Sequence, residues 1–392
     1  MRICIVTTVF PRRLGDGEGA FIWQHALGMK TLGHEIKIIA MHSPGTLRHE
    51  FFDGVPVYRV PYWWPEHAQR LRRVGGGIPI NVRGSKLAKL QLGTLFAALA
   101  TQVIGHGRNS DIIHANFTIA AGASLLGKPM HRRPVLITVH GSDIFQGPSY
   151  PLGGAFTKAV LQNSDAVVAV SGALRERAIE IGAPASRCTV VPNSVDTQFF
   201  AVARSGWSAR DAHILFVGSL IKRKGIDYLL QAFAKIETAL PETKLLIVGE
   251  GPELEALKSL AGELGIADKV RFTGMLDRVS MRNLMQGARV LVLPSTEEGQ
   301  GVVMLEALAC GTPVIGTTVG GIPEVINPTV GRLIPPRDVA ALAGALLALC
   351  NDDVRWNEMS IHARRLIEEA YAPAVVARRY DAIYSSTLNH AN

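Results

Sequence analysis

HILFVGSLIKRKGIDYLLQAF, His213 to Phe233, is the stretch whose reading decides the fold. A short apolar strand runs into Gly218, which permits a tight turn, and a helix opens near Gly225. Strand, glycine turn and helix in that order make one unit of a parallel α/β sheet. Downstream the same grammar repeats in KLLIVG, VRFTG, ARVLVLP and TPVIGTT, each leading into a glycine turn or a helix. Upstream it occurs independently in RICIVTT, HEIKIIA, DIIHAN, VLITVH and DAVVAV. Two Rossmann-like domains are therefore expected. Between them, VVPNSVDTQFFAVARSGWSARDA is polar and aperiodic, which puts the boundary near Pro192 to Ala212. The expected division is residues 1–195, a linker over 196–212, a second domain over 213–372, and a terminal helix over 373–392 packing back on the first. Parallel sheets bind ligands at the carboxyl ends of their strands, so the two sheets are expected to face one another across a ligand cleft.

Composition agrees with that class. The 392 residues are 47% hydrophobic with 39 glycines and a positive mean hydropathy, as suits strands buried on both faces. The apolar runs Leu92 to Ile104 and Ala340 to Cys350 are interrupted or shorter than the ~20 residues that span a bilayer, so no spanning segment is expected. The opening MRICIVTTVFPRR reads as a first strand rather than a secretion signal. Cys4, Cys188, Cys310 and Cys350 are scattered without the spacing of a disulfide framework or zinc site, and a reducing cytoplasm fits best.

Charge is uneven. Residues 1–200 hold 21 Lys and Arg against 12 Asp and Glu, leaving 20 against 21 for the remainder. The excess is densest from Arg70 to Lys89, directly after Tyr62, Trp63 and Trp64. Two readings stay open for Arg70, Arg72, Arg73, Arg83, Lys86 and Lys89: a solvated face, or contact with an anionic membrane surface. A nucleic-acid partner is not expected, because no recognised binding motif accompanies the charge.

Four motifs carry chemistry. Arg223 and Lys224, just ahead of the helix at Gly225, put two cations beside a positive helix end, the arrangement a phosphate or diphosphate needs. In EEGQGVVMLEALACGTPVI, Glu298 stands at the mouth of an apolar helix, Gly299, Gln300 and Gly301 leave backbone N–H groups open, and Glu306 lies eight positions on in an otherwise apolar run. A buried Glu306 needs donors, either an Arg of the chain or the hydroxyls of a ligand. Glu298 either complements the helix dipole or meets the same ligand. GDGEGAF, Gly15 to Phe21, matches the dinucleotide fingerprint through Gly17 and Ala20, but VFPRRL separates it from its strand and HEIKIIA ends in Ala40 rather than an acid. HGSD places His140 and Asp143 at the carboxyl end of a strand. Asp-x-Asp and His/Cys ligand clusters are lacking in the sequence, so no metal is called for.

FPRRLGDGEG, TVHGSD, PNSVD, VGSLIKRKG, EGQGVVMLEALACGTPV and GGIPE, in this order over nearly the whole chain, resemble the retaining glycosyltransferases of family 4, also called glycosyl transferases group 1, which have the GT-B fold. The resemblance implies transfer of a sugar from a UDP- or GDP-sugar co-substrate to a glycan or lipid-linked acceptor, with no further cofactor. It implies that Lys224 and Arg223 hold the donor diphosphate near Gly218 and Ser219, that Glu306 binds the ribose, that Glu298 with Gln300 and Gly301 faces the donor sugar, that Gly17 or Gly19 approaches the phosphates, and that His140 lies near the sugar. Three residues depart from the family pattern: Ser219 where an Arg is common, Gln300 where a Phe is common, and Ser194 where a Gly is common. The first bears on the diphosphate contacts and the second on the sugar pocket. Two other readings remain: a sugar-nucleotide epimerase on the same fold, and a two-domain sugar-binding protein without chemistry. The expected location is the cytoplasm, peripheral to the inner face of the membrane.

Overall fold

The computed structural model describes residues 1–71, 78–83, 85–145, 153–203 and 213–391. The chain forms two compact units, Met1–Asn193 with Pro373–Asn392, and Ser194–Ala372.

The first unit contains β1 (Arg2–Thr7), α1 (Ala20–Thr31), β2 (Glu35–Met41), β3 (His49–Phe52), β4 (Val55–Val60), α2 (Ile78–Arg83), α3 (Lys86–Gly107), β5 (Ile112–Asn116), α4 (Thr118–His131) and β6 (Val135–Val139). It continues with α5 (Ser142–Phe145), α6 (Gly153–Asn163), β7 (Ala166–Ala169), α7 (Gly172–Ile181) and β8 (Cys188–Val190). Its strands are ordered β3-β4-β2-β1-β5-β6-β7-β8, all pairs being parallel except β3 with β4. Both faces of the sheet are covered, which is why RICIVT is apolar without alternation: Cys4 and Val6 pack into one core with α3 and α4, while Ile3 and Ile5 pack into another with α1. The edge hairpin β3–β4 turns at Asp53 and Gly54, both at positive φ, the Asp-Gly signature of a tight β-turn.

The second unit holds β9 (His213–Val217), α8 (Ile226–Ile236), β10 (Lys244–Val248), α9 (Leu254–Glu263), β11 (Val270–Gly274), α10 (Arg278–Gly287), β12 (Ala288–Leu293) and α11 (Val302–Ala309). Then come β13 (Val314–Thr317), β14 (Gly331–Ile334), α12 (Val339–Cys350) and α13 (Asp353–Ala370), while α14 (Pro373–Ala391) rejoins the first unit. The strand order is β11-β10-β9-β12-β13-β14, entirely parallel. The chain winds outward from β9 to β11, then returns to β12 beside β9, so the order reverses between β9 and β12. In a doubly wound sheet the crevice outside the strand ends at that reversal is where ligands sit. The first sheet reverses likewise between β1 and β5.

Two segments differ from expectation. The stretch expected to link the domains is in its first part packed on the second unit: Phe200 is buried in that unit's core, and Arg364 donates to the carbonyls of Thr197 at 2.9 Å and Phe200 at 2.8 Å. Residues 204–212 lie outside the described residues. The apolar run Leu92 to Ile104 is part of α3, which at 22 residues is long and apolar enough to cross a membrane. Here Ala88, Gln91, Leu95, Leu99 and Val103 recur at helical spacing on one buried face, and α3 packs on α4. The helix outlasts its apolar run because Ser85 caps the backbone N–H of Ala88 and starts it on polar residues.

Candidate active site

At the reversal in the second sheet, the loops after β9 and β12 bring two of the sequence candidates into direct contact. Lys224 ends a single 3-10 turn and Gly225 follows at φ +66°. A Cβ on Gly225 would stand 2.1 Å from the Pro294 carbonyl, so glycine is what lets α8 start against the loop after β12. Lys224 Nζ thereby reaches Glu298 Oε2 at 2.5 Å. The Glu298 carboxylate also accepts from Ser295 Oγ at 3.4 Å and from the Gly299 N–H at 3.1 Å. Burial of Glu298 pushes its pKa up, but the charge of Lys224 and the hydrogen bond it donates, with Arg223 behind, outweigh that and hold the carboxyl below its ordinary range. Glu298 is therefore an anion and Lys224 its counter-ion.

Arg223 shares the turn. Its Nη1 lies 3.4 Å from the Glu297 carbonyl and 3.8 Å from the Glu297 carboxylate, while its buried Nε has no partner among the described residues. Ser219 is half-buried behind β9, and its carbonyl accepts from the Ile221 N–H. Gln300 is buried, and Gly301 is the N-terminal cap of α11. The loop after β13 closes over this region, with Thr317 Oγ1 donating to the Ser295 carbonyl at 2.6 Å and the Gly321 N–H to the Gly299 carbonyl at 3.1 Å. A Cβ on Gly320 would fall 1.7 Å from the Glu298 carbonyl, which is the physical reason for the first glycine of GGIPE.

Glu306, on α11, is less enclosed than its apolar neighbours imply. The residue is half-buried, so solvent reaches part of it, yet among the described residues no donor hydrogen-bonds its carboxylate. Burial drives its pKa up to about 7, and only the charge of Arg278 opposes the shift. Arg278 is otherwise engaged, 3.5 Å from Asp196 and 4.3 Å over the Phe199 ring. The expectation of a fully buried glutamate is corrected: α11 leaves an opening on the Glu306 side.

In the first unit His140 follows β6 and donates through Nε2 to Asn116 Oδ1 at 2.9 Å. Its ring sits between Phe21 and Phe117, with centroids 4.8 and 4.7 Å away. Burial, with His25 adding like charge, drives the His140 pKa down to about 3, so the ring is neutral near neutral pH. Its Nδ1 and the Asn116 Nδ2 are buried without partners among the described residues. Asp143 holds the TVHGSD turn, its Oδ1 accepting from the His140 N–H at 3.2 Å and the Gly141 N–H at 3.0 Å. Burial raises its pKa to about 6 against those hydrogen bonds, and its Oδ2 has no partner among the described residues. Gly19 caps α1 at φ +74°, and a Cβ there would meet the Phe10 backbone at 2.9 Å; its need for glycine is internal. Gly17 faces open space.

Asn116 and Phe117 escaped sequence reasoning. The available signal was position, since DIIHAN ends at the carboxyl edge beside the sheet reversal. Phe117, with φ +71°, is a strained non-glycine residue whose conformation no sequence pattern announces. Ser295 was missed for the same reason. Among the described residues no group of three His, Cys, Asp or Glu is placed to hold a metal.

Residues 15–199 match the family described as Glycosyltransferase Family 4, and residues 198–372 match Glycosyl transferases group 1. N-acetyl-alpha-D-glucosaminyl L-malate synthase of Bacillus anthracis is 32% identical over 304 residues, covering 74% of this chain and 79% of the relative. Phosphatidyl-myo-inositol mannosyltransferase of Mycobacterium tuberculosis is 29% identical over 388 residues, covering 94% and 93%. Among solved structures, an Anabaena protein in complex with UDP and glucose is similar at a TM-score of 0.76 and 18% identity, over 98% of this chain and 100% of that one. Both halves of the sequence, both sheets and the paired loops of the second unit agree, and the chain belongs to the glycosyltransferases of the family 4 and group 1 type, with the GT-B fold.

Proposed function

We propose that the chain transfers a sugar, with retention of anomeric configuration, from a nucleotide-diphosphate sugar to a lipid-linked or cell-envelope glycan. The observation that carries this reading is the set of charges in the second unit: the Lys224–Glu298 pair with Arg223 beside it at the β9/β12 reversal, and on α11 Glu306, a half-buried carboxylate with no hydrogen-bond donor among the described residues. A ribose offers two adjacent hydroxyls that can donate to the Glu306 carboxylate. A diphosphate offers the charge that Arg223 and Lys224 would take up, with Lys224 exchanging part of its bond to Glu298. As the glycosidic bond breaks, negative charge grows on the leaving diphosphate, and preorganised cations stabilise that change by several kcal/mol, about 3 to 4 for one such contact. Glu298, held as an anion, is then placed to orient the donor sugar's hydroxyls. UDP is the first nucleotide to test, because a structural neighbour was solved with it.

Within the first unit, neutral His140, whose Nδ1 has no partner among the described residues, is assigned to sugar recognition, and the turn holding Gly17 and Gly19 to phosphate recognition. The lipid-linked acceptor draws support from the phosphatidylinositol-acting relative and from the basic excess of residues 1–200. Arg70, Lys86 and Lys89 are exposed, as is Leu90, while Arg72, Arg73 and the Arg83 side chain lie outside the described residues. The proposed location is the cytoplasmic face of a membrane.

The test is product analysis by proton NMR with and without acceptor. An α-linked product from an α-linked donor, formed only with acceptor or water, supports retention. Conversion of the donor into a different nucleotide sugar without acceptor would make the chain an epimerase.

A further inference from the structure

After β4 the chain runs through Pro61, Tyr62, Trp63, Trp64 and Glu66, which with Arg48 line a cavity of about 440 Å³, within the size range of small-molecule sites. Tyr62 is buried, Trp63 half-buried and Trp64 75% exposed. Arg48 is exposed and its guanidinium has no hydrogen bond or ion pair among the described residues. Glu66 is half-buried, and its nearest ion-pair partner, His42, is 3.7 Å away. The lining thus combines an open indole, one uncommitted cation and one weakly held carboxylate.

That mixture selects among ligands. A sugar ring has an apolar C–H face that packs on an aromatic plane and an edge of hydroxyls that both accept from a guanidinium and donate to a carboxylate. A lipid phosphate would gain one cation but meet the Glu66 charge, and an acyl chain would leave Arg48 and Glu66 without partners.

Position adds a second argument. The cavity lies at the carboxyl end of β4, the same edge that carries Asn116 and His140, and β4 stands four strands from β6 in the order β4-β2-β1-β5-β6. At ~4.8 Å per strand this is roughly 20 Å, more than a single sugar ring can span.

We propose that this cavity is a subsite for one sugar ring of an oligosaccharide acceptor, several residues from the end that receives the transferred sugar. This rests on the reading of His140 as lying at the reacting end.

The test uses the full chain and, as probes, maltotetraose, mannotetraose, cellotetraose and chitotetraose beside glucose, mannose and N-acetylglucosamine, followed by saturation-transfer NMR and calorimetry. At least one tetrasaccharide is expected to bind about tenfold or more tightly than its monosaccharide. Trp64→Ala is expected to lower that affinity about tenfold, which is ~1.4 kcal/mol, and Trp64→Tyr to restore most of it, with UDP binding unchanged in both. Because Trp64 is exposed, Trp64→Ala is expected to keep the fold, which unchanged UDP binding and circular dichroism check. Failure of every tetrasaccharide to bind a chain that still binds UDP overturns the subsite while leaving the donor reading standing. Unchanged tetrasaccharide affinity in Trp64→Ala, accompanied by lost binding to phosphatidylglycerol vesicles, overturns it in favour of a membrane contact. If the wild type does not bind UDP, the same comparison is made with whichever of GDP or ADP binds, and failure of all three counts against the donor reading while tetrasaccharide binding lost in Trp64→Ala still supports the subsite.

Discussion

At the residue scale, Glu306 and Lys224 make opposite kinds of contribution. Glu306 is held in the folded chain with a pKa of about 7, well above its ordinary value, because burial penalises the charge and the charge of Arg278 opposes that only in part. A carboxyl with a raised folded pKa binds its proton in the folded state over a window where the unfolded chain has released it, so stability falls as pH rises through that window. Glu306→Gln should therefore gain stability over the wild type progressively from about pH 4.5 to about pH 7, as read by urea unfolding at each pH; Asp143, raised in the same direction, is common to both and cancels. A parallel pH dependence in both proteins would show that Glu306 has a partner. The same position governs binding: Glu306→Ala is expected to fold and to lose about tenfold or more in donor affinity by calorimetry, since a ribose then finds no acceptor. Lys224→Ala should lower kcat by about 10²- to 10³-fold with a smaller effect on donor affinity, as one transition-state contact is worth. A rate within about twofold of wild type would remove Lys224 from the leaving-group role. Lys224 and Glu298 were legible separately as a cation ahead of a helix and an acid at a helix mouth. Their pairing was not, because it depends on β9 and β12 being neighbours although 70 residues apart in sequence.

At the scale of elements, strands buried on both faces were legible as uninterrupted apolar runs, and the glycine turns after β9 and β10 were legible with them. The strands β3, β4, β8 and β14 were not foreseen: β3, β8 and β14 are three or four residues at a sheet edge and carry too little pattern, while β4 is broken by Pro56 and was marked only by the Asp-Gly turn between it and β3. A terminal helix returning to the first unit was expected from the sequence, but the contacts α14 makes there were not. Tyr384 and Tyr380 bring hydroxyls under β5 and β6: Tyr384 Oη lies 2.6 Å from His114 Nδ1 and 2.8 Å from His25 Nε2, and Thr138 Oγ1 lies 2.7 Å from His114 Nε2 and 3.2 Å from Tyr380 Oη. His114 and Thr138 each stand two residues before Asn116 and His140, hence on the same sheet face. Burial lowers the pKa of both His25 and His114, so the network is neutral and each nitrogen depends on these partners. Tyr384→Phe should cost about 1 to 3 kcal/mol in chemical unfolding, the range for stranding a buried polar group. An unchanged midpoint would mean that the histidines pair adequately without it.

For the whole molecule, the two sheets and their order of appearance were readable from the repeated strand-turn-helix grammar, whereas the allocation of residues 194–200 to the second unit was not, because Phe200 and its Arg364 clamp depend on tertiary packing. The charge imbalance belongs to this scale as well. If residues 1–200 meet an anionic surface, flotation with liposomes should require anionic lipid and fall as salt is raised, each basic group near the surface being worth ~1 kcal/mol. Lys86→Ser with Lys89→Ser should weaken recovery; equal recovery on neutral and anionic vesicles would return the basic face to solvent. The donor reading is tested most directly by thermal unfolding of wild type and Glu306→Ala against UDP-, GDP- and ADP-sugars. At 100 times its dissociation constant, one nucleotide sugar is expected to stabilise the wild type by ~2.7 kcal/mol and the variant by clearly less. No stabilisation of the wild type by any of them, or equal stabilisation of both proteins, would contradict a donor site built on the β9/β12 loops and Glu306.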